Sequence, residues 1–181
     1  MRFRSLVSHR SSRHRRDAEG QSLVEFSLIL MPLFFILLGI IQFGFIFNTY
    51  VTMTNAARDA ARLGTVYAYD RTLTKAQNDL ARNESIRAAV LSSMNMLGKT
   101  APQFTTGSTW SQSGTTFTNG DLVITYVLPT GITQTEPRTG QQLTVRATYH
   151  QDLIIPLISA FLPQDSGGRM RLIGEVTMVL N

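Results

Sequence analysis

The chain has 181 residues, a formal net charge of +5 from 17 Lys and Arg against 12 Asp and Glu, and no cysteine, which excludes disulfides and thiolate metal sites. The basic excess sits in Arg2, Arg4, Arg10, Arg13, Arg15 and Arg16, while residues 21–181 carry 11 basic and 10 acidic side chains. That distribution argues against a nucleic-acid-binding domain, since the folded part lacks a basic surface excess.

Residues 1–19 are rich in Ser, Arg and His without apolar periodicity, so they are expected to form a disordered leader. Behind them stands the dominant feature, GQSLVEFSLILMPLFFILLGIIQFGFIF at 20–47. After Glu25 no formal charge occurs until Arg58. The 22 residues Phe26–Phe47 span roughly 33 Å as a helix, close to the ~30 Å hydrocarbon core of a bilayer. Only a helix satisfies the backbone of a lone apolar run in lipid, so one transmembrane helix is predicted. Basic flanks of a first membrane helix stay cytoplasmic, which places the N-terminus inside and the C-terminal domain outside the inner membrane. Three parts follow: a leader at 1–20, the helix and its extension at 21–65, and an extracytoplasmic domain at 66–181.

An ordinary secretory signal has a shorter apolar region, with the small residue of the cut behind it. Here Gly20 precedes the run. Glu25 either snorkels at the interface or has a partner that justifies a carboxylate entering lipid. Pro32 removes a helix donor and is expected to kink or loosen the helix. Gly39 and Gly44 lower the bulk on the helix, and Gln42 is a polar group expected to seek a partner across a helix interface. Beyond the membrane, residues 48–62 can continue as helix, with Ala56, Ala57, Ala60 and Ala61 forming a small-residue face.

The junction resembles that of type IV prepilins, with Gly20 before the cut and Glu25 fifth in the mature chain. The ordered set G-Q-S-L-V-E-F, an apolar run with Pro32, G-I-I-Q-F-G and T-N-A-A-R-D-A-A-R, over residues 20–62, resembles TadE-like proteins, minor pseudopilins of tight-adherence (Tad) pilus systems. Gln42 departs from the pattern, standing where the family often has an acidic residue before Phe-Gly. The resemblance implies cleavage between Gly20 and Gln21 by a prepilin peptidase, and recognition in processing or assembly through Glu25 and Phe26. Its implied partners are membrane lipid, other pilin or pseudopilin subunits and an inner-membrane assembly platform, with no cofactor. By the same resemblance, Glu25 of one helix meets the new amine of its neighbour.

A second helix is predicted over residues 71–97 from the stripe Ile86, Val90, Met94 and Leu97. Residues 100–114 read as a loop around Trp110, which reads as a satellite core residue before it reads as a binding residue. Asn119-Gly120 is a hairpin signal between strands at 115–118 and 121–128. Alternation over Leu143–Tyr149 gives a half-buried strand, and Met170–Leu180 a last one. The apolar segment Leu153–Leu162 is too short to span, so it is either a buried connection or lies against the membrane surface. The fold class is α+β: a long N-terminal transmembrane helix, a second helix, then a small antiparallel sheet in a pilin-like order.

No catalytic constellation emerges. His150 beside Asp152 reads as a strand end before it reads as a metal half-site, and Asn83-Glu84-Ser85 fits a glycosylation acceptor only on a predicted helix, where it is discounted. The favoured function is a non-enzymatic minor pilin-like subunit. The alternatives are a signal-anchored extracytoplasmic binding module unrelated to a filament, and a membrane-tethered enzyme.

Overall fold

The computed structural model describes residues 13–94, 97, 109–131 and 138–180. The chain divides into two compact units, Met1–Ile41 and Gln42–Asn181. Helix α1, Arg13–Thr65, supplies the described part of the first unit and opens the second. It starts inside the stretch expected to be disordered, since the ordered helix that follows already supplies the nucleus and Arg, Ala and Glu extend it at little cost. Residues 1–12 of the expected leader lie outside the described residues. The helix runs through Pro32 without terminating.

In the second unit, α1 is followed by α2 (Lys75–Met94), β1 (Ser111–Ser113), β2 (Thr116–Asn119), β3 (Leu122–Val127), β4 (Gln142–Gln151), α3 (Pro156–Ser159) and β5 (Met170–Val179). The five strands form one antiparallel sheet in sequence order. The α+β arrangement is as expected, with differences at the element ends. Helix α2 starts at Lys75 because Thr74 and Gln77 form a capping box: the Thr74 amide donates to Gln77 Oε1 at 2.9 Å and the Gln77 amide to Thr74 Oγ1 at 3.4 Å. The preceding residues are held by Asp70, whose Oδ1 accepts from the Thr72 amide at 2.8 Å. Residues 111–113, expected as loop, form a short edge strand.

The β2–β3 turn falls one residue later than Asn119-Gly120. Asn119 pairs with Leu122 and is fully buried, which leaves Gly120 and Asp121 as the turn, with Gly120 at φ 58°. Alternation decides this: a slip of one would turn Leu122, Ile124 and Tyr126 out of the core.

One face of the sheet is buried. Leu122, Ile124 and Tyr126 of β3 lie with Leu143, Val145 and Ala147 of β4 in a single core with Ile86, Val90 and Met94 of α2. The alanine face of α1 joins this core, with Ala56, Ala57, Ala60 and Ala61 completely buried beside Met53. Small side chains let helix and sheet backbones approach closely, and the tightest point is Gly174 of β5. A Cβ built there would stand 2.4 Å from the Met53 carbonyl oxygen. Trp110 is half-buried against the core and donates its indole Nε1–H to Glu84 Oε1 at 2.7 Å, as expected of a satellite core residue. Asn83 is buried and accepts from the Tyr126 hydroxyl at 2.6 Å, which withdraws it from modification.

Candidate functional site

The residues singled out at the junction lie in the first unit on α1. Gly20 has nothing within 4 Å of the position its Cβ would take. The Gln21 side chain donates from Nε2 to Glu25 Oε1 at 3.1 Å, an i,i+4 pair on the helix surface. Phe26 is exposed, and so is every residue from Gly20 to Leu37. An apolar helix surface this large is unstable in water and needs lipid or protein around it. Among the described residues one helix, Gly20–Thr65, is long and apolar enough to cross a membrane. Gly39 is half-buried, and Gly44, in the second unit, is exposed with open space around it.

Gln42 is fully buried, and within the chain its oxygen is taken by backbone. Its Oε1 accepts from the backbone amides of Ile154 at 3.0 Å and Ile155 at 3.3 Å, in the chain leading into α3. Two turns further on, Thr49 donates to Gln151 Oε1 at 2.7 Å at the end of β4. Gln42, Ile46, Thr49 and Met53, spaced by four, three and four, are the buried stripe of α1 in the second unit.

A family comparison can be set beside this geometry. Residues 20–62 match the family described as TadE-like protein. The match covers the residues on which the resemblance was drawn, from the Gly20 junction through the buried alanine face, and points to a Tad pilus-related protein. No curated protein and no solved structure matches the chain. The TadE-like segment is about a quarter of the sequence, so the domain behind it is understood from its own chemistry.

That domain holds a buried polar cluster which sequence reasoning missed. Arg138 grips Asp79 through two parallel hydrogen bonds, Nε to Oδ1 and Nη2 to Oδ2, both 2.7 Å. It also donates to Gln141 Oε1 at 3.0 Å and lies 4.3 Å from the centre of the Tyr126 ring. Arg82 stands 4.9 Å from the Tyr67 ring centre and 5.8 Å from that of Tyr126. Burial pushes the Tyr126 hydroxyl up to about 12, so it stays protonated and serves as the donor to Asn83. A cavity of about 240 Å³ beside the cluster, lined in part by Tyr67, Arg82 and Arg138, has room for ordered water. The cluster places no nucleophile against a base; it ties α2 to the chain entering β4.

His150 pairs not with Asp152 but with two other carboxylates. Its Nε2 lies 2.9 Å from Asp121 Oδ2, and its Nδ1 hydrogen-bonds Asp165 Oδ2. Among the described residues no group of three or more His, Asp or Glu is arranged to hold a metal ion. Asp165 Oδ1 accepts from the backbone amides of Gly167 at 2.8 Å and Arg169 at 3.0 Å, closing the turn into β5. The Arg169 amide first, then His150, hold the Asp165 carboxyl down at about 2, against an ordinary value of about 3.9. A depressed carboxyl stabilises the fold above its unfolded pKa and loses that contribution as pH falls through the folded value. Wild type is therefore expected to lose stability between about pH 4 and pH 2 more steeply than Asp165→Asn, read as unfolding midpoints by circular dichroism across that window. Parallel acid profiles for the two chains would remove Asp165 from the acid response.

Proposed function

We propose that the protein is a non-enzymatic, pilin-like minor subunit (pseudopilin) in assembly of a Tad-type surface pilus. In this reading α1 anchors it in the inner membrane with Arg2–Arg16 in the cytoplasm and residues 66–181 outside, and a prepilin peptidase cuts between Gly20 and Gln21. The observation that carries the reading is the TadE-like match over residues 20–62, on a helix whose apolar surface is exposed from Gly20 to Leu37. The unobstructed surface at Gly20 supports access by a peptidase. Cleavage also discards six arginines, Asp17 and Glu19, and so most of the positive charge.

The cut would create an amine on Gln21, about 6 Å along the helix axis from Glu25. Within one chain Glu25 already accepts from the Gln21 side chain, a weak exposed contact. Between subunits in apolar surroundings, the new amine of one and Glu25 of the next neutralise each other as both leave water. Breaking such a pair by removing one partner typically costs ~3–5 kcal/mol.

The test co-expresses the chain with a prepilin peptidase and reads the N-terminus of membrane-extracted protein by mass spectrometry. Gln21 is the expected first residue, in wild type and in Glu25→Gln alike. The Glu25→Gln chain is expected to be cut normally and yet to co-purify poorly with other pilin subunits. A wild-type protein that keeps its leader beside an active peptidase, or normal association and piliation by Glu25→Gln, would overturn the corresponding half of the proposal.

A further inference from the structure

The apolar segment Leu153–Leu162 admits two readings from sequence, a buried connection or a membrane-surface element. It is not a buried connection. Every residue from Leu153 to Leu162 whose side chain is described is half-exposed or exposed, with Ile154 at 64% and Phe161 at 84%. The stretch from Leu153 to Gln164 carries no charge.

We propose that this segment is a second membrane contact, seated in the interfacial layer of the leaflet where α1 leaves the bilayer. The inference rests on the membrane-anchored reading of α1. Three observations carry it. The first is depth. Gln42 binds the amides of Ile154 and Ile155, and it stands five residues before Phe47, the last residue of the apolar run. That puts the attachment point ~7.5 Å inside the end of the run, within the ~5–10 Å to which interfacial segments sink their apolar faces.

The second is backbone satisfaction. Lipid offers no hydrogen bonds, so irregular backbone enters it only with its own polar groups paired. The Ile154 and Ile155 amides are taken by Gln42, and Pro156 has none to satisfy. The Ile158 and Ser159 amides donate to the Ile155 carbonyl, those of Phe161 and Leu162 to the carbonyls of Ile158 and Ser159, and the Ser159 hydroxyl to the Pro156 carbonyl. Six amides of the segment, those of Ile154, Ile155, Ile158, Ser159, Phe161 and Leu162, are thus paired, which lipid demands and water does not. This also explains a polar Gln42 in the apolar run: it serves backbone that lipid cannot serve.

The third is continuity. Phe43, Phe45 and Phe47 are exposed on α1 in the turn and a half that follows the attachment point, so the helix that holds the segment is itself apolar on its outer surface there. A lipid surface fits an apolar patch continuous with a membrane span; a water-facing ligand site would need polar groups directed outward.

The chain has no cysteine, so single-cysteine variants report unambiguously. Full-length Phe161→Cys, Leu33→Cys and Arg146→Cys chains are labelled with a polarity-sensitive fluorophore. They are reconstituted at low protein-to-lipid ratio in phosphatidylethanolamine–phosphatidylglycerol vesicles. Quenching is read from lipids spin-labelled near the top of the acyl chain and from aqueous iodide. The Phe161 probe is expected to be quenched by lipid within about two-fold of the Leu33 probe and shielded from iodide, as for an interfacial residue. The Arg146 probe, on the sheet, should show the reverse. Iodide quenching at Phe161 with lipid quenching at Leu33 overturns the inference and leaves the anchor standing. Shielding from both quenchers at Phe161 assigns the patch to a protein neighbour and overturns it too. Absence of lipid quenching at Leu33 overturns the anchor, and the inference with it.

Discussion

Asp79→Ala is expected to destabilise the domain by ~3–5 kcal/mol, because it strands a buried guanidinium. The side chains of Arg138 and Asp79 are only 2% and 6% exposed, so solvent does little to screen the loss. With the carboxylate gone, Arg82, 3.9 Å from Asp79 Oδ1, loses the same counter-charge, and two cations are left near the Tyr126 ring. The double variant Asp79→Ala/Arg138→Met should lose clearly less than the sum of the single losses, since removing both partners leaves one charge fewer unpaired. Denaturant unfolding of the detergent-solubilised chains measures all three. Strict additivity would mean that the two side chains act independently, against the paired 2.7 Å bonds between them.

Gly174→Ala is expected to destabilise by about 3 kcal/mol, at the upper end of overpacking. The added methyl would sit 2.4 Å from the Met53 carbonyl oxygen and 2.6 Å from its carbon, both backbone atoms of a helix. A flexible side chain could swing aside, whereas here β5 or α1 must shift bodily, and α1 presents mainly alanines with no rotamers to adjust. Gly44→Ala is the control. It lies in the same helix with open space at its Cβ, and should be neutral or stabilising by ~0.5–1 kcal/mol through helix propensity. Equal unfolding midpoints for Gly174→Ala and wild type would show that α1 and β5 are not in close contact in solution.

Both sites show what a linear sequence hides. Apolar periodicity reports one element at a time, so α1, α2 and the long strands were legible from spacing alone. The Asp79–Arg138 pair joins residues 59 apart, each of which looks like an ordinary surface charge in its own segment. Gly174 reads as a weak strand residue until Met53 is placed against it. Gln42 was legible as a polar residue in need of a partner, but the partner lay 112 residues away in backbone amides that no side-chain pattern records. The start of α2 was written locally, in Thr74 and Gln77, while the wider apolar stripe drew its boundary outward. At the junction the reverse holds: Gly20, Glu25 and the run behind them are contiguous, so the sequence carries nearly all of that site.

The sheet order has a consequence for how the molecule is made. Each described strand pairs with its neighbour in sequence, so the sheet can zip up hairpin by hairpin, from the tight β2–β3 turn to the longer connection between Gln151 and Met170. The contact of Gly174 with Met53 is of the opposite kind, spanning most of the domain. It forms only after Gly174 has emerged from the ribosome. Until then the first-made helix waits with its sheet-binding face uncovered. Because that face is largely alanine, the waiting chain exposes little sticky surface to chance encounters, and the final strand acts as the latch that ends its vulnerable period.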